Sequence, residues 1–102
     1  MGFIAVYITH KNMKSAEKIV AHLLENRLIA CANFFPIRSI YRWKGTIENS
    51  EEIVSIVKTR SGNWEKLRAE VERMHPYETP CIMKLDVEAN GKYEEWILHE
   101  TK

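Results

Sequence analysis

Two long β-rich runs, IACANFFPIRSIYRW at 29–43 and TIENSEEIVSIVKT at 46–59, are separated only by Lys44 and Gly45. This spacing predicts a hairpin in which the glycine supplies the positive φ of a tight turn. Each arm has about 14 residues, and at roughly 3.3 Å per residue it reaches about 45 Å. A compact domain of about 100 residues has a radius of gyration near 13 Å, hence a diameter of roughly 33 Å. The distal end, SIYRWKGTIE at 39–48, must therefore overhang its own core or bend sharply. It carries Ile40, Tyr41, Trp43 and Ile47, more apolar surface than a chain leaves in water. Pro36 offers one solution. It cannot donate to a ladder, so it marks an edge position or a bulge, and a bulge would fold the tip back onto the subunit's own helices. A partner subunit that covers Tyr41, Trp43 and Ile47 is the better explanation, and identical edge strands make a closed homo-oligomer the natural form.

The elements around the hairpin follow from periodicity. FIAVYIT at 3–9 is apolar almost throughout, as suits a buried central strand. Asn12 is an N-cap, and Ala16, Ile19, Val20, Leu23 and Leu24 recur at helical spacing up to about Asn26. A second helix presents Trp64, Leu67, Val71 and Met74 on one face; residues 81–88 form the last strand, and Tyr93, Trp96 and Ile97 sit on a short terminal helix. The order is β-α-β-β-α-β plus that helix, an α+β, ferredoxin-like antiparallel sheet in a single domain over 1–102. Right-handed crossovers place both long helices on one face, with the last strand on one edge and the strand after the first helix on the other. Cys31 and Cys81 then lie on opposite edges, three spacings of roughly 4.8 Å apart, beyond the roughly 7 Å limit for bridged Cα atoms. An intrachain disulfide is not expected.

Charge and composition exclude several function classes. Fifteen basic and 14 acidic residues are well mixed and leave a net charge of +1, without the basic footprint of a nucleic-acid binder. No apolar run approaches the roughly 18 residues of a membrane span. The start, MGFIAVYIT, lacks a basic n-region and a small-residue cleavage site, and it reads as a strand rather than a signal peptide. Two widely spaced cysteines suit free thiols in a reducing cytoplasm.

Chemistry-bearing residues concentrate in HPYETPCI at 75–82. Half of this octapeptide has a structural explanation: Pro76 holds His75 extended and stops the helix, and Pro80 launches the last strand. Tyr77 and Glu78 remain, polar residues in a turn that would line a pocket beside a neighbouring subunit. A cationic His75 suits the helix C-terminus, and the same imidazole is a candidate metal ligand. Cys31 and Cys81 read as buried small hydrophobes or as thiolate donors. Imidazole with thiolate favours copper or zinc over magnesium or calcium. However, the chain has no CxxC, HxH or HExxH, so a site must draw ligands together from separate segments. Glu48 and Glu52 share one strand face; a pocket lining is one reading, and a solvated edge or pairing with Arg38 and Arg42 is the expected one. His10, His22 and His99 are expected in solvent. A nucleophilic cysteine would need a histidine in hydrogen-bond reach and an orienting third group, and no motif here specifies one.

ACANFFP at 30–36, SIYRWKGTIE at 39–48, Glu52, Lys58-Thr59, HPYETP at 75–80, and Tyr93 with Trp96 together resemble the CutA divalent-cation-tolerance family. The match runs nearly end to end in the same order. The resemblance implies a ferredoxin-like subunit in a tight homotrimer, similar in architecture to the nitrogen-regulatory signal-transduction trimers. It implies a non-enzymatic role in tolerance of copper and other divalent cations, with Cu(II) or another divalent cation bound and no organic cofactor. Cys31 and His75 carry over as candidate metal ligands, while Tyr77 with Glu78 stay a candidate ligand pocket on their place in the turn. At Cys81 many members carry Glu, so a carboxylate ligand at that position does not transfer. The alternative is a regulatory trimer that binds a small ligand in its subunit clefts, with metal binding incidental.

Overall fold

The computed structural model describes residues 2–102. Along the chain run β1 (Phe3–His10), α1 (Met13–Glu25), β2 (Cys31–Trp43), β3 (Thr46–Arg60), a 3-10 turn at Ser61–Asn63, α2 (Trp64–Met74), β4 (Ile82–Asp86) and α3 (Gly91–Glu100). The strands form one sheet in the order β2-β3-β1-β4, every neighbouring pair antiparallel. This is the α+β, ferredoxin-like arrangement that the periodicity predicts, with Cys31 and Cys81 at opposite edges. β4 is shorter than the expected 81–88, because β1 offers it only Ile4 to Ile8 as partners.

Local chemistry starts and stops the elements. Asn12 has extended backbone, and its side-chain oxygen accepts from the Ser15 amide at 2.8 Å, which caps α1. Arg27 ends that helix in the left-handed region at φ 56°, and the Leu28 amide returns to the Leu23 carbonyl at 2.9 Å. At the hairpin tip both Lys44 (φ 49°) and Gly45 (φ 84°) are left-handed, so the turn is of the I′ kind whose twist matches the strands.

One face of the sheet carries the core. Ile4, Val6 and Ile8 of β1 and Val57 of β3 pack against Ile19, Val20 and Leu23 of α1 and Leu67 and Val71 of α2. Between the two helices His22 pairs with Glu70 rather than standing in solvent as expected. Glu70 also accepts from Arg73 at 2.8 Å; that bond first, and His22 second, hold its carboxyl down at about 2. The opposite face carries α3 over one end only. Tyr93 meets Phe3 edge to face at 6.2 Å, and the Arg60 guanidinium donates to the Leu98 and Thr101 carbonyls at the C-terminal end of α3. Phe35, Met83 and Leu85 lie on the uncovered part of this face and are exposed.

The hairpin settles the question that its length raises. Its register runs without insertion from Cys31 opposite Lys58 to Trp43 opposite Thr46. The bulge considered at Pro36 is absent: Pro36 faces Ile53 in step and is tolerated because β2 is an edge strand. β1 accompanies β3 only as far as Ile53, so beyond that level the hairpin is a two-stranded arm. The molecule is accordingly 45 Å long and only 24 by 21 Å across. Ile40 is 66% exposed and Ile47 57% exposed at the end of the arm.

Leu23 is fully buried between the sheet and α2. Leu23→Ala should lower stability by about 2–5 kcal/mol, through lost transfer energy and the cavity left behind. Chemical denaturation would register this as a lower midpoint with an unchanged slope.

Candidate functional site

The polar residues converge where β1 stops and the two-stranded arm begins. His10 ends β1 in step with Ile4, Val6 and Ile8, and period-2 alternation points it to the same buried side. It is 1% exposed, not solvated as expected, with its Nε2 2.8 Å from the Ser55 hydroxyl. Its Nδ1 has no partner among the described residues. Burial, and secondarily the neighbouring His75, push the His10 pKa down to about 4, with Glu52 opposing weakly.

His75 caps the end of α2 in extended backbone at ψ 135°, as the following proline requires. Its Nε2–H donates to the Thr9 carbonyl at 2.7 Å, and its Nδ1 accepts from the Tyr77 amide at 3.2 Å. Those two partners define a neutral tautomer and occupy both ring nitrogens. The ring stacks on His10 at 5.6 Å and touches Tyr77 at 4.7 Å. The Tyr77 hydroxyl then donates to Glu52 Oε2 at 2.6 Å. Burial and that bond push the Tyr77 phenol well above its ordinary range.

Glu52 departs most from expectation. It lies on β3 just past the end of β1 and is 7% exposed, whereas Glu48 is open to solvent. Arg38, its expected partner, instead meets Glu51 at 3.6 Å and Asn49 at 3.1 Å. Glu52 stands at the base of a cleft of about 960 Å³ between the distal part of β2 and the 77–81 turn. Tyr7, Tyr41, Trp43 and Tyr77 supply aromatic walls, and Cys81 joins the lining. Burial raises the Cys81 thiol, and the Glu52 charge raises it further. At the mouth, the exposed Lys44 ammonium lies 3.7 Å from Glu78.

The structure thus brings Tyr77 and Glu78 together with Tyr41 and Trp43, while Ile47 lies on the other side of the arm, opposite Arg42. Cys31 is elsewhere. Its Sγ is hydrogen-bonded to the Tyr93 hydroxyl at 3.2 Å, which is the main cause that lifts Tyr93 to about 12. Through Lys58, Cys31 is level with Ala5, whereas His75 holds Thr9. Four residues of strand, roughly 13 Å, separate those levels. One subunit therefore does not join Cys31 and His75, and no three His, Cys, Asp or Glu side chains among the described residues converge as metal ligands.

Residues 4–100 match the model of the CutA1 divalent ion tolerance protein family. The chain belongs to this family. The divalent-cation tolerance protein CutA of Pyrococcus horikoshii is 45% identical over 100 residues, 97% of this chain and 98% of that one. The crystal structure of CutA1 from Pyrococcus horikoshii superimposes with a TM-score of 0.93 at 44% identity, covering 97% of this chain and 98% of that one. The periplasmic divalent cation tolerance protein CutA from Archaeoglobus fulgidus gives 0.94 at 40% identity, covering 98% and 99%. No helix among the described residues is long and apolar enough to cross a membrane.

Because the folded pKa of His10 lies below its unfolded value of about 6.5, the unfolded chain takes up the extra proton as pH falls. Stability contributed by neutral, buried His10 is present above about pH 6.5 and is lost toward pH 4, about 3 kcal/mol over that window. An NMR titration should place the His10 ring midpoint near 4. A midpoint at 6 or above would show that the ring is not held neutral by burial.

Proposed function

We propose that the protein is a non-enzymatic, homotrimeric cation-tolerance protein that binds Cu(II) or another divalent cation. Membership of the CutA1 family supports the tolerance role. The carrying observation for assembly is the two-stranded arm. Its unbroken register removes the fold-back alternative and leaves Ile40, Tyr41, Trp43 and Ile47 exposed, and Phe35, Met83 and Leu85 add an uncovered sheet face. Surface of this kind is stable in water when identical subunits cover it.

The thiols support a binding protein rather than a nucleophilic enzyme. Cys31 is bonded to a phenol instead of a base, and the Cys81 thiol is raised, opposite to the lowered pKa of an activated cysteine. Both cysteines are free, which fits a reducing cytoplasm. Cys31 and His75 remain the proposed copper donors. Since one subunit holds them apart, an ion that uses both draws them from two subunits. His75 would release the longer of its two hydrogen bonds, the one from the Tyr77 amide to Nδ1. A second reading follows from the cleft: its volume and aromatic walls suit a small-ligand regulatory trimer in which metal binding is incidental.

Light scattering should give about three times the 12.0 kDa chain mass; a monomer at micromolar concentration would remove the assembly. Trp43→Asp should break the trimer or prevent soluble folding, since it sets an unpaired charge in an apolar contact. Calorimetric titration with CuCl2 at neutral pH tests the donors. Cys31→Ser and His75→Ala should each weaken binding about tenfold or more, and unchanged affinity in both variants would dismiss them as ligands.

A further inference from the structure

Glu52 is the one buried acid among the described residues, and no lysine, arginine or histidine among them lies within ion-pair distance of it. Its hydrogen bond comes from a neutral donor, the Tyr77 hydroxyl on Oε2. A carboxylate has about four lone-pair positions and is costly to bury without compensating charge. Within its own subunit, this one is therefore short of a cation. It faces a cleft and not the core, so the cation can arrive from solution.

The walls indicate what kind of cation. Tyr7, Tyr41, Trp43 and Tyr77 present π-surfaces around the cleft, and such surfaces attract ammonium and guanidinium groups. Trp43 already holds the Lys44 ammonium 5.6 Å from its ring centre, at the mouth beside Glu78. A bare metal ion needs about four donors in a closed site; the cleft is lined by Glu52, Glu78 and a thiol whose pKa is raised, and no three such side chains among the described residues converge as ligands. The volume of about 960 Å³ belongs to the small-molecule range. Arg38 and Arg42 reach the rim, but they project from the alternate β2 positions to Tyr41 and Trp43, and both are exposed and screened by solvent.

We infer that the cleft takes a small protonated alkylamine, its N–H groups donating to Glu52 and its alkyl chain lying along Tyr41 and Trp43. This rests on the small-ligand reading of the cleft and not on the copper donors. In the proposed trimer, Tyr41 and Trp43 also meet a neighbour, which closes the mouth over the bound amine.

The test is calorimetry on the assembled protein, with n-butylammonium chloride as probe and 1-butanol as its uncharged counterpart. Butylammonium should bind once per subunit, and 1-butanol about tenfold more weakly or worse. Glu52→Gln preserves shape and removes charge, and it should reduce butylammonium affinity about tenfold or more, with the trimer mass unchanged. No binding at millimolar concentration, equal affinity for the alcohol, or indifference to Glu52→Gln would each overturn the inference. So would displacement of butylammonium by CuCl2, ion for molecule, in wild type but not in Glu52→Gln, which would make the cleft a metal site. The wild-type comparison of amine with alcohol decides the matter even if Glu52→Gln does not fold. Loss of the copper effect at Cys31 and His75 leaves this result untouched, and the converse holds.

Discussion

The unbroken antiparallel ladder between β2 and β3 is the constraint on which the rest of the molecule depends. In-step pairing from Cys31–Lys58 to Trp43–Thr46 keeps two edge-capable strands rigid well past the end of β1. Had Pro36 introduced a bulge, the added twist would have bent the arm over the helices and buried its apolar tip within one subunit. Instead the arm stands free, and its aromatic side chains form the wall of a cleft. The same ladder thus creates the unpartnered surface and the concavity.

The second determinant is the point where the sheet narrows from three strands to two. There the backbone of β1 ends and the 75–81 turn takes its place beside β3. His75 fastens this turn to the Thr9 carbonyl, and Tyr77 fastens it to Glu52. Each bond has one buried partner, His75 in the first and Glu52 in the second, so each is expensive to leave unmade. The His10–Ser55 pair beneath them extends the polar network toward the helix side of the sheet. Polar groups at this depth hold the turn in one position more specifically than apolar contacts would, and the cleft inherits its shape from that restraint.

Much of the candidate site has no local signature. Tyr77 and Glu78 stood out because a turn bounded by prolines had no structural use for them, and the structure does place them at the cleft. His10 did not stand out, and for Glu52 a pocket reading ranked behind a solvated edge. Alternation from Ile4 through Ile8 carried a usable signal for His10, since the next position in step is inward-facing; its place at the strand end argued for solvent. Glu52 sits among Asn49, Ser50 and Glu51 in a stretch that reads as an exposed arm. Nothing near it in sequence shows that Tyr77, 25 residues away, closes over it. Cys31 and His75 share a chemistry but lie at different levels of the sheet, a separation set by strand register.

By itself, then, the sequence determined the kinds of strands and helices and their order, the Asn12 cap, the turn at Lys44-Gly45 and the excess length of the hairpin. Each of these follows from period, local backbone preference and the rise per residue, which neighbouring residues set without knowledge of the rest. Only the tertiary structure decided that Pro36 lies in register, that Glu52 and His10 are buried, and that the 77–81 turn faces Tyr41 and Trp43 across a cleft. Those outcomes depend on which distant segments exclude water from a given side chain, and burial of that kind is a property of the packed chain rather than of any stretch within it.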